Sequence, residues 1–223
     1  YSFELEHNLV EKGKHSLLRE VRQIAKLAKF IYVRQSMPLG DGHAILCAKE
    51  VVGNEPFAVL FGDDIVDNKI PALKQLISVY QKTHCSVVAL EKIKKEESQK
   101  YGIIKAKSSK GRLHEVESFV EKPIASKAPS NLGIIGKYVV TPEIIKALEK
   151  ARSGHGSEIR LIDGLRELGF HQKIYGYELE GKRYDTGTKL GLLKANIDFA
   201  LKRKEIGPEL KKHLADVLKE KIV

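Results

Sequence analysis

The sequence predicts an α/β protein in which helices flank a Rossmann-like, mixed and mostly parallel sheet. Two strands and the helix between them lead to this prediction. Residues 56–61 form an apolar run without alternation that stops at Gly62-Asp63-Asp64, as expected of a strand buried on both faces. A second such run follows over residues 85–90, and a helical segment that opens at Pro71 separates the two. This order of elements is typical of parallel strands joined by a right-handed crossover.

Hydrophobic periodicity and turn residues assign the other elements in chain order. Helices are predicted over residues 2–24 with a break at Gly13, and over 44–51, 71–80, 141–151, 157–168, 188–204 and 209–221. Strands are predicted over 30–35, 132–140 and 173–179, and a hairpin pairs 101–106 with 113–120. No internal repeat or low-complexity linker interrupts the sequence. We therefore expect one α/β domain over residues 1–200 and a helical C-terminal tail over residues 201–223.

Composition narrows the class of protein. A hydrophobic content of 42% and a charged content of 30% describe an ordinary globular protein. No apolar run is long enough for a membrane helix and the first residues are too acidic for a signal peptide, so we expect no membrane association. The net charge of +10 comes without a nucleic-acid motif, so we expect no nucleic acid. A solvated basic face is the first explanation of the charge, and anionic small substrates are the second.

The two cysteines indicate the compartment in which the protein works. Cys47 and Cys85 have neither CxxC spacing nor companion histidines, which favours reduced thiols and a cytoplasmic protein.

The sequence opens on Tyr1, and Met37 is its only methionine. We therefore expect that it begins after the translational start.

The Gly-Asp-Asp that follows residues 56–61 is the first candidate site. In open α/β sheets, ligands bind outside the carboxyl ends of the strands. Two carboxylates at such a point can hold a metal ion that carries phosphates. The alternative is a turn in which aspartate side chains cap backbone groups, and the spacing alone leaves both interpretations open.

Four further motifs occur in a fixed order around this one. They are Gln35-x-x-Pro38-Leu39-Gly40, Phe119-Val120-Glu121-Lys122-Pro123, Asn131-Leu132-Gly133-Ile134-Ile135-Gly136 and Arg183-Tyr184-Asp185-Thr186-Gly187. In combination they resemble the sugar-1-phosphate nucleotidylyltransferases, and most closely those of the bacterial UTP–glucose-1-phosphate uridylyltransferase type. The resemblance covers essentially the whole chain. It implies the nucleotide-diphospho-sugar transferase fold and a reaction in which UTP and glucose 1-phosphate give UDP-glucose and pyrophosphate.

The resemblance also implies a metal site and a phosphate site. Asp63 and Asp185 would ligate Mg²⁺, a hard ion that accepts one or two carboxylates together with phosphate oxygens. Asp64 is the less expected ligand, because the metal aspartate of the family directly follows the glycine. Lys122 would bind the sugar phosphate, which makes Lys122 and Asp63 the expected catalytic residues. The alternative for Asp185 is capping of the helix that begins nearby.

The same resemblance assigns residues to the base and to the sugar. Gln35 would pair with the uracil edge, and Gly40 would let the base lie against bare backbone. Gly102 and Glu121 would contact the glucose hydroxyls, and Asn131 would add a sugar contact. Gln35 has the alternative of an exposed strand end, and Glu121-Lys122 that of a solvated pair. Thymine offers Gln35 the same imide edge, so thymidylyl transfer stays open beside uridylyl transfer.

One feature of the family is absent from the printed sequence. The family opens with a Gly-x-Gly-Thr-Arg loop that wraps the triphosphate, and no such loop occurs in residues 1–223. We therefore expect these residues alone to bind UTP poorly and to turn over little or not at all. A non-catalytic module that binds UDP-sugars is the alternative function. Leucines at helical spacing in the tail, together with the oligomers that the family forms, suggest a homodimer or homotetramer. The alternative is that these leucines pack on the core of their own domain.

Overall fold

The computed structural model describes residues 2–151 and 158–220. Contacts between Cα atoms group the chain into two units, Tyr1–Ser36 and Met37–Val223. The tail from residue 201 is grouped with the second unit, and the predicted division at residue 200 stays a prediction.

The first unit contains two helices, α1 (Phe3–Glu11) and α2 (His15–Ala25). The hydroxyl of Ser2 accepts a hydrogen bond from the backbone N–H of Leu5 at 3.2 Å and so caps α1. Gly13 lies between the helices with a φ of +62°, in the left-handed region that favours glycine. The helical prediction for residues 2–24 and its break at Gly13 are confirmed.

The strand predicted over residues 30–35 is wrong. This segment has no strand pairing, and Phe30, Ile31 and Tyr32 are exposed. Aromatic and β-branched residues favour a strand only where a neighbouring strand packs and pairs with them. Within the described part of the chain, no strand pairs with this segment.

The second unit contains eight strands and seven α-helices among its described residues. The strands are β1 (Phe57–Leu60), β2 (Asp64–Asp67), β3 (Ser86–Lys92), β4 (Gly102–Lys110), β5 (Leu113–Glu121), β6 (Leu132–Val140), β7 (Ile174–Glu178) and β8 (Lys182–Asp185). The helices are α3 (Asp41–Cys47), α4 (Lys49–Val52), α5 (Ala72–Thr83), α6 (Glu143–Ala151), α7 (Leu161–Gly169), α8 (Lys189–Leu201) and α9 (Gly207–Glu220). The start predicted at Ser157 lies outside the described residues.

Six strands form one sheet in the order β1-β6-β3-β7-β5-β4. The predicted α/β class, with a mixed sheet between helices and a helical C-terminal end, is confirmed. Strand direction differs from the expectation, because β3 and β7 are the one parallel pair among the described strands. The reason is β6, which lies between β1 and β3 and runs antiparallel to both. The strand–helix–strand pattern of β1, α5 and β3 does not reveal that a later strand, β6, lies between β1 and β3. The run at 56–61 is an edge strand in the described chain, with alternate residues exposed rather than buried on both faces.

Helices cover both faces of the sheet, because successive side chains of β3 pack alternately into two different hydrophobic cores. Val88 and Leu90 join the core under α6 and α7, whereas Val87 and Ala89 join the core under α5. All nine residues of β6 are buried, which makes this strand the centre of the packed unit.

Two short strands lie outside the main sheet, and the sequence predicts neither of them. β2 and β8 pair antiparallel with Asp64 opposite Asp185 and Val66 opposite Arg183. Four-residue strands carry too little periodicity to be distinguished from a turn. Because β2 directly follows the Gly62-Asp63 turn and β8 ends at Asp185, the pairing of β2 with β8 brings Asp63 and Asp185 close together.

The C-terminal helices agree with the prediction for the tail. Thr188 caps α8, since its hydroxyl accepts the N–H of Gly191 at 3.1 Å. In α9, Leu210, Leu214 and Val217 are half-buried on one face, and Leu218 is exposed. None of the helices over residues 2–151 and 158–220 combines the length and the apolar character that a membrane crossing requires.

Candidate active site

A cavity of about 450 Å³ opens in the second unit. Five residues singled out from the sequence line it: Asp63, Gly102, Glu121, Lys122 and Asp185. They come from four separate segments, between Gly62 and Asp185 in the chain. The fold therefore brings together in one cavity the carboxylates, the ammonium group and the glycine that the motifs predicted.

The carboxylates of Asp63 and Asp185 face one small volume. The N–H of Thr186 donates to the carbonyl oxygen of Asp63 at 2.7 Å, which extends the β2–β8 pairing by one step. A Cβ at Gly187 would lie 2.9 Å from Oδ2 of Asp63 and 3.2 Å from Oδ1 of Asp185. Only a residue without a side chain leaves room between these two carboxylates.

The two carboxylates differ in what they contact. Oδ1 of Asp185 accepts the N–H of Gly187 at 3.2 Å, whereas the Asp63 carboxylate accepts no hydrogen bond from the described residues. Capping of α8, the alternative for Asp185, is performed by Thr188 instead. Nowhere in the described ranges do three His, Cys, Asp or Glu side chains converge on a metal position. A cation here would thus need further oxygens from a bound ligand.

Asp64 is occupied by protein partners. Its Oδ2 accepts the backbone N–H of Gly136 at 2.7 Å, and its Oδ1 accepts a hydrogen bond from Nε of Arg183. Both oxygens are therefore engaged in the core of the unit. This supports the choice of Asp63 over Asp64 as the free carboxylate of the pair.

Two cations that are largely withdrawn from solvent lie beside these acids, and their pKa values move in opposite directions. Burial lowers the pKa of the Arg183 guanidinium, but the hydrogen bonds and charges of Asp64 and Tyr101 together outweigh burial and raise that pKa, so the group stays charged. Lys137 donates to the carbonyl oxygen of Phe61 at 2.8 Å. Burial lowers the pKa of the Lys137 ammonium, and the carboxylates of Asp64 and Asp63 offset only part of this effect. The acids at this end of the cavity thus have compensating positive charge.

Gly102 and Glu121 lie side by side at the other end. They are cross-strand partners at the end of the β4–β5 hairpin, and a Cβ at residue 102 would lie 3.4 Å from Oε2 of Glu121 and 2.7 Å from Cδ1 of Ile162. A side chain at position 102 would therefore fill the space in front of the Glu121 carboxylate.

Lys122 has a backbone conformation that is unusual for a residue with a side chain. Its φ is +42°, and its N–H donates to the carbonyl oxygen of Tyr101 at 3.1 Å. The ammonium group lies 3.5 Å from Oε1 of Glu121, and the side chain is 59% exposed. Strained backbone of this kind is concentrated at functional sites. Here it sends the Lys122 side chain to the cavity after the hairpin has ended.

Three other residues were singled out from the sequence. Gln35 belongs to the first unit, whereas Gly40 and Asn131 belong to the second unit and do not line its cavity. Gly40 has a φ of +101°, and a Cβ there would overlap the carbonyl oxygen of Ile159, so backbone packing already requires glycine at this position. Asn131 is exposed, and its carbonyl oxygen accepts the N–H of Ile93 at 3.0 Å. Contacts of these three residues with a ligand stay predictions.

Several cavity residues were not anticipated from the sequence. Asp41 accepts the N–H groups of Gly42 and Leu161, each at 2.8 Å, and so joins the starts of α3 and α7. Arg183 and Tyr101 line the cavity as well. Arg183 lies within a motif, Asp41 follows the motif that ends at Gly40, and Tyr101 precedes Gly102, which the resemblance singled out. This proximity in sequence is the signal that could have found them.

Comparison with known proteins assigns the family. The family model described as nucleotidyl transferase matches residues 9–201, most of the chain. The chain belongs to the nucleotidyl transferase family. Among its relatives, the UTP–glucose-1-phosphate uridylyltransferase of Bacillus subtilis (strain 168) is 48% identical over 210 residues, which are 94% of this chain and 72% of the relative.

Solved structures of the nucleotidyl transferase family have the same fold. A UDP-glucose pyrophosphorylase complexed with UDP-glucose is 40% identical, with a TM-score of 0.79 over 86% of this chain and 73% of that one. A UTP-bound enzyme of this kind from Acinetobacter baumannii is 35% identical, with a TM-score of 0.87 over 96% of this chain and 75% of that one. The resemblance stated from the motifs is confirmed.

Proposed function

We propose that this protein transfers the uridylyl group of UTP to glucose 1-phosphate, giving UDP-glucose and pyrophosphate. The observation that carries the proposal is the meeting of Asp63, Asp185, Lys122 and Glu121 at one cavity. The Bacillus subtilis relative named above is a UTP–glucose-1-phosphate uridylyltransferase, and two solved neighbours hold UDP-glucose and UTP.

Mg²⁺ is the cofactor that fits the acidic end of the cavity. The donor set consists of two hard carboxylates, from Asp63 and Asp185, around a volume that Gly187 leaves open. Mg²⁺ accepts one or two carboxylates when phosphate oxygens and water complete its coordination. When bound, it would supply positive charge to the phosphates of the nucleotide. Asp64 would stay outside the coordination, because Gly136 and Arg183 occupy its oxygens.

The chain's own residues align two anions and lower the repulsion between them. Lys122 would contact the phosphate of glucose 1-phosphate as a compact positive charge, and Glu121 would accept hydrogen bonds from the sugar hydroxyls. An oxygen of that phosphate then attacks the α-phosphorus of UTP, the new P–O bond forms, and the bond to the departing pyrophosphate breaks. The attacking oxygen is already an anion, so no general base is required. Catalysis comes from positioning and charge stabilisation.

The base and the sugar would be recognised by fewer groups. Gln35 would pair with the imide edge of uracil, Gly40 would lie beside the base, and Asn131 would add a contact to the sugar. Gly102 leaves space for the sugar in front of Glu121. We favour uridine over thymidine because the relatives with the highest identity given above use UTP.

Oligomerisation and location complete the proposal. The apolar face of α9, with Leu218 exposed, suits a contact between copies in a homodimer or homotetramer. Cys47 and Cys85 are free thiols, which suits the reducing cytoplasm.

Pyrophosphate release tests the reaction directly. With UTP, glucose 1-phosphate and Mg²⁺ we expect UDP-glucose and pyrophosphate in equal amounts, and with dTTP a lower rate. The assay is run on the full-length protein, because residues 1–223 alone are expected to turn over little or not at all. Calorimetry on the same protein separates the second function: binding of UDP-glucose without any release of pyrophosphate would identify a non-catalytic UDP-sugar-binding module and overturn the transferase proposal.

A further inference from the structure

Arg183 contacts three separate segments of the second unit. Its side chain is 10% exposed and lies on β8, two residues before Asp185. Nε donates to Oδ1 of Asp64, and one terminal nitrogen donates to Oε2 of Glu91 at 3.1 Å and to the hydroxyl of Tyr101 at 3.0 Å. The guanidinium carbon also lies 5.3 Å from the centre of the Tyr101 ring.

Two of these contacts lead to opposite ends of the cavity. Asp64 directly follows Asp63, at the end where the carboxylates meet. Tyr101 directly precedes Gly102, and its carbonyl oxygen accepts the N–H of Lys122 at 3.1 Å. One buried side chain therefore joins the segment of the metal carboxylates to the segment of the sugar and phosphate residues.

We propose that Arg183 is a positioning residue that fixes the distance between the acidic end of the cavity and its sugar-phosphate end. This inference rests on the proposed function and deepens it. In-line transfer requires the attacking phosphate oxygen and the α-phosphorus to be held in near-contact geometry, and a displacement of about 1 Å costs on the order of 100-fold in rate. Arg183 acts through Asp64 and Tyr101, not by contact with the reacting atoms.

The choice of arginine has a geometric reason. A guanidinium group is planar and offers five N–H donors in fixed directions, so one group can contact a carboxylate and a phenol at set angles. A lysine ammonium would keep the charge but could not hold both partners in this plane. The substitution Arg183→Lys therefore removes the positioning while it retains the positive charge.

Three variants and one control test the inference. Arg183→Lys removes the hydrogen bonds of the guanidinium to both Asp64 and Tyr101. Asp64→Asn weakens the contact with the acidic end of the cavity, and Tyr101→Phe removes the hydrogen bond to the sugar-phosphate end. The control is Arg112→Lys, because Arg112 pairs with Glu180 at 3.2 Å and does not line the catalytic cavity. For each variant, Mn²⁺ binding is measured by calorimetry at saturating UDP-glucose, whose phosphates supply the further oxygens. KM for glucose 1-phosphate is measured at saturating UTP, and thermal unfolding reports on the fold.

The expected changes in Mn²⁺ affinity and in KM separate the contact with Asp64 from the contact with Tyr101. Asp64→Asn should weaken Mn²⁺ binding about 10- to 100-fold, the range found when groups that orient metal ligands are lost. Tyr101→Phe should raise KM for glucose 1-phosphate several-fold without change in Mn²⁺ affinity. Arg183→Lys should show both effects, and the double variant Arg183→Lys/Tyr101→Phe should raise KM no further than Arg183→Lys alone.

Two results would overturn the inference. One is a folded Arg183→Lys protein whose Mn²⁺ affinity and KM both stay within twofold of the wild type. The other, decisive if Arg183→Lys fails to fold, is that Asp64→Asn and Tyr101→Phe each leave both quantities unchanged. A full-length wild-type protein without turnover would instead refute the proposed function, and Mn²⁺ binding by Asp64→Asn and Arg183→Lys would still test the contact between Arg183 and Asp64.

Discussion

The backbone N–H of Gly136 donates to Oδ2 of Asp64 at 2.7 Å, a hydrogen bond that joins the middle of β6 to the start of β2. This approach depends on the missing side chain. A Cβ at residue 136 would lie 2.5 Å from Cβ of Phe61 and 2.7 Å from Oδ2 of Asp64. Any larger residue would therefore push the Gly62-Asp63 turn away from the centre of the sheet.

Gly136→Ala should accordingly lower both stability and activity. Overpacking of a buried position costs about 1–3 kcal/mol in the free energy of unfolding, and the displaced turn carries Asp63. Urea denaturation and pyrophosphate release measure the two effects. Gly62→Ala is the matched control, because a Cβ at residue 62 meets no atom within 4 Å; its free energy of unfolding should change by less than about 0.5 kcal/mol. Equal stability of the two variants would contradict the close approach at Gly136.

Asp63→Asn should lower kcat/KM by on the order of 100-fold or more, because under the proposed function it removes a charge that would face the phosphates and their cation. Folding should be unaffected, since the Asp63 carboxylate has no hydrogen-bond partner in the described part of the chain. The measurement is the Mg²⁺ dependence of pyrophosphate release. Asp67→Asn provides the comparison, because Asp67 ends β2, the strand that follows Asp63, and pairs with Lys202 instead. If the Asp63 variant retained wild-type activity and Mg²⁺ dependence, the metal assignment would be wrong.

The motifs predicted the site better than periodicity predicted the sheet. Asp63, Glu121, Lys122 and Asp185 could be found because each stands in a short motif of fixed order. The position of β6 between β1 and β3 could not be found, because pairing between distant strands leaves no mark in local sequence. Residues 30–35 show the converse, a strand-like segment without a strand partner among the described residues.

Arg183 illustrates what sequence reasoning misses within the site itself. The arginine that opens a motif carries no sign of its burial in the sequence, and only its low exposure and its three acceptors give it a role. Gly40 shows the opposite case. The family suggests a nucleobase as the reason for this glycine, whereas the backbone of Ile159 already excludes a side chain there.

Lys122 allows function and stability to be separated. Lys122→Ala and Lys122→Gly should both lower kcat/KM for glucose 1-phosphate by on the order of 100-fold, because both remove the ammonium group from the cavity. The glycine variant should be the more stable of the two, since a positive φ costs a residue with a Cβ about 1 kcal/mol. His84→Gly is the control: His84 has a φ of +51° at the end of α5, outside the cavity, so stability should hold or rise with unchanged activity. Full activity of the Lys122→Gly protein would show that Lys122 does not take part in catalysis.

The lowered pKa of the Glu178 carboxyl group allows a prediction of how the stability of the fold depends on pH. Burial alone would raise the pKa of this carboxyl, but hydrogen bonds from Lys92 and His114 offset burial and leave the pKa below its ordinary value of 4.5. Lys92 lies 3.0 Å from Oε2, and Nε2 of His114 lies 2.8 Å from Oε1. A carboxyl whose pKa is lower in the folded state stabilises the fold above its unfolded pKa, and this contribution is lost as the pH falls through the folded value.

We therefore expect the wild-type protein to lose stability as the pH falls below about 4.5, and Glu178→Gln to lose less over the same interval. Near neutral pH the variant should be the less stable protein, because Lys92 and the buried His114 lose their charged partner. Urea midpoints measured from pH 7 to pH 3 give both curves. Glu117→Gln is the control, since Glu117 forms an exposed pair with Lys105 at 2.7 Å and such pairs contribute little. Parallel curves for wild type and Glu178→Gln would show that another group governs the acid transition.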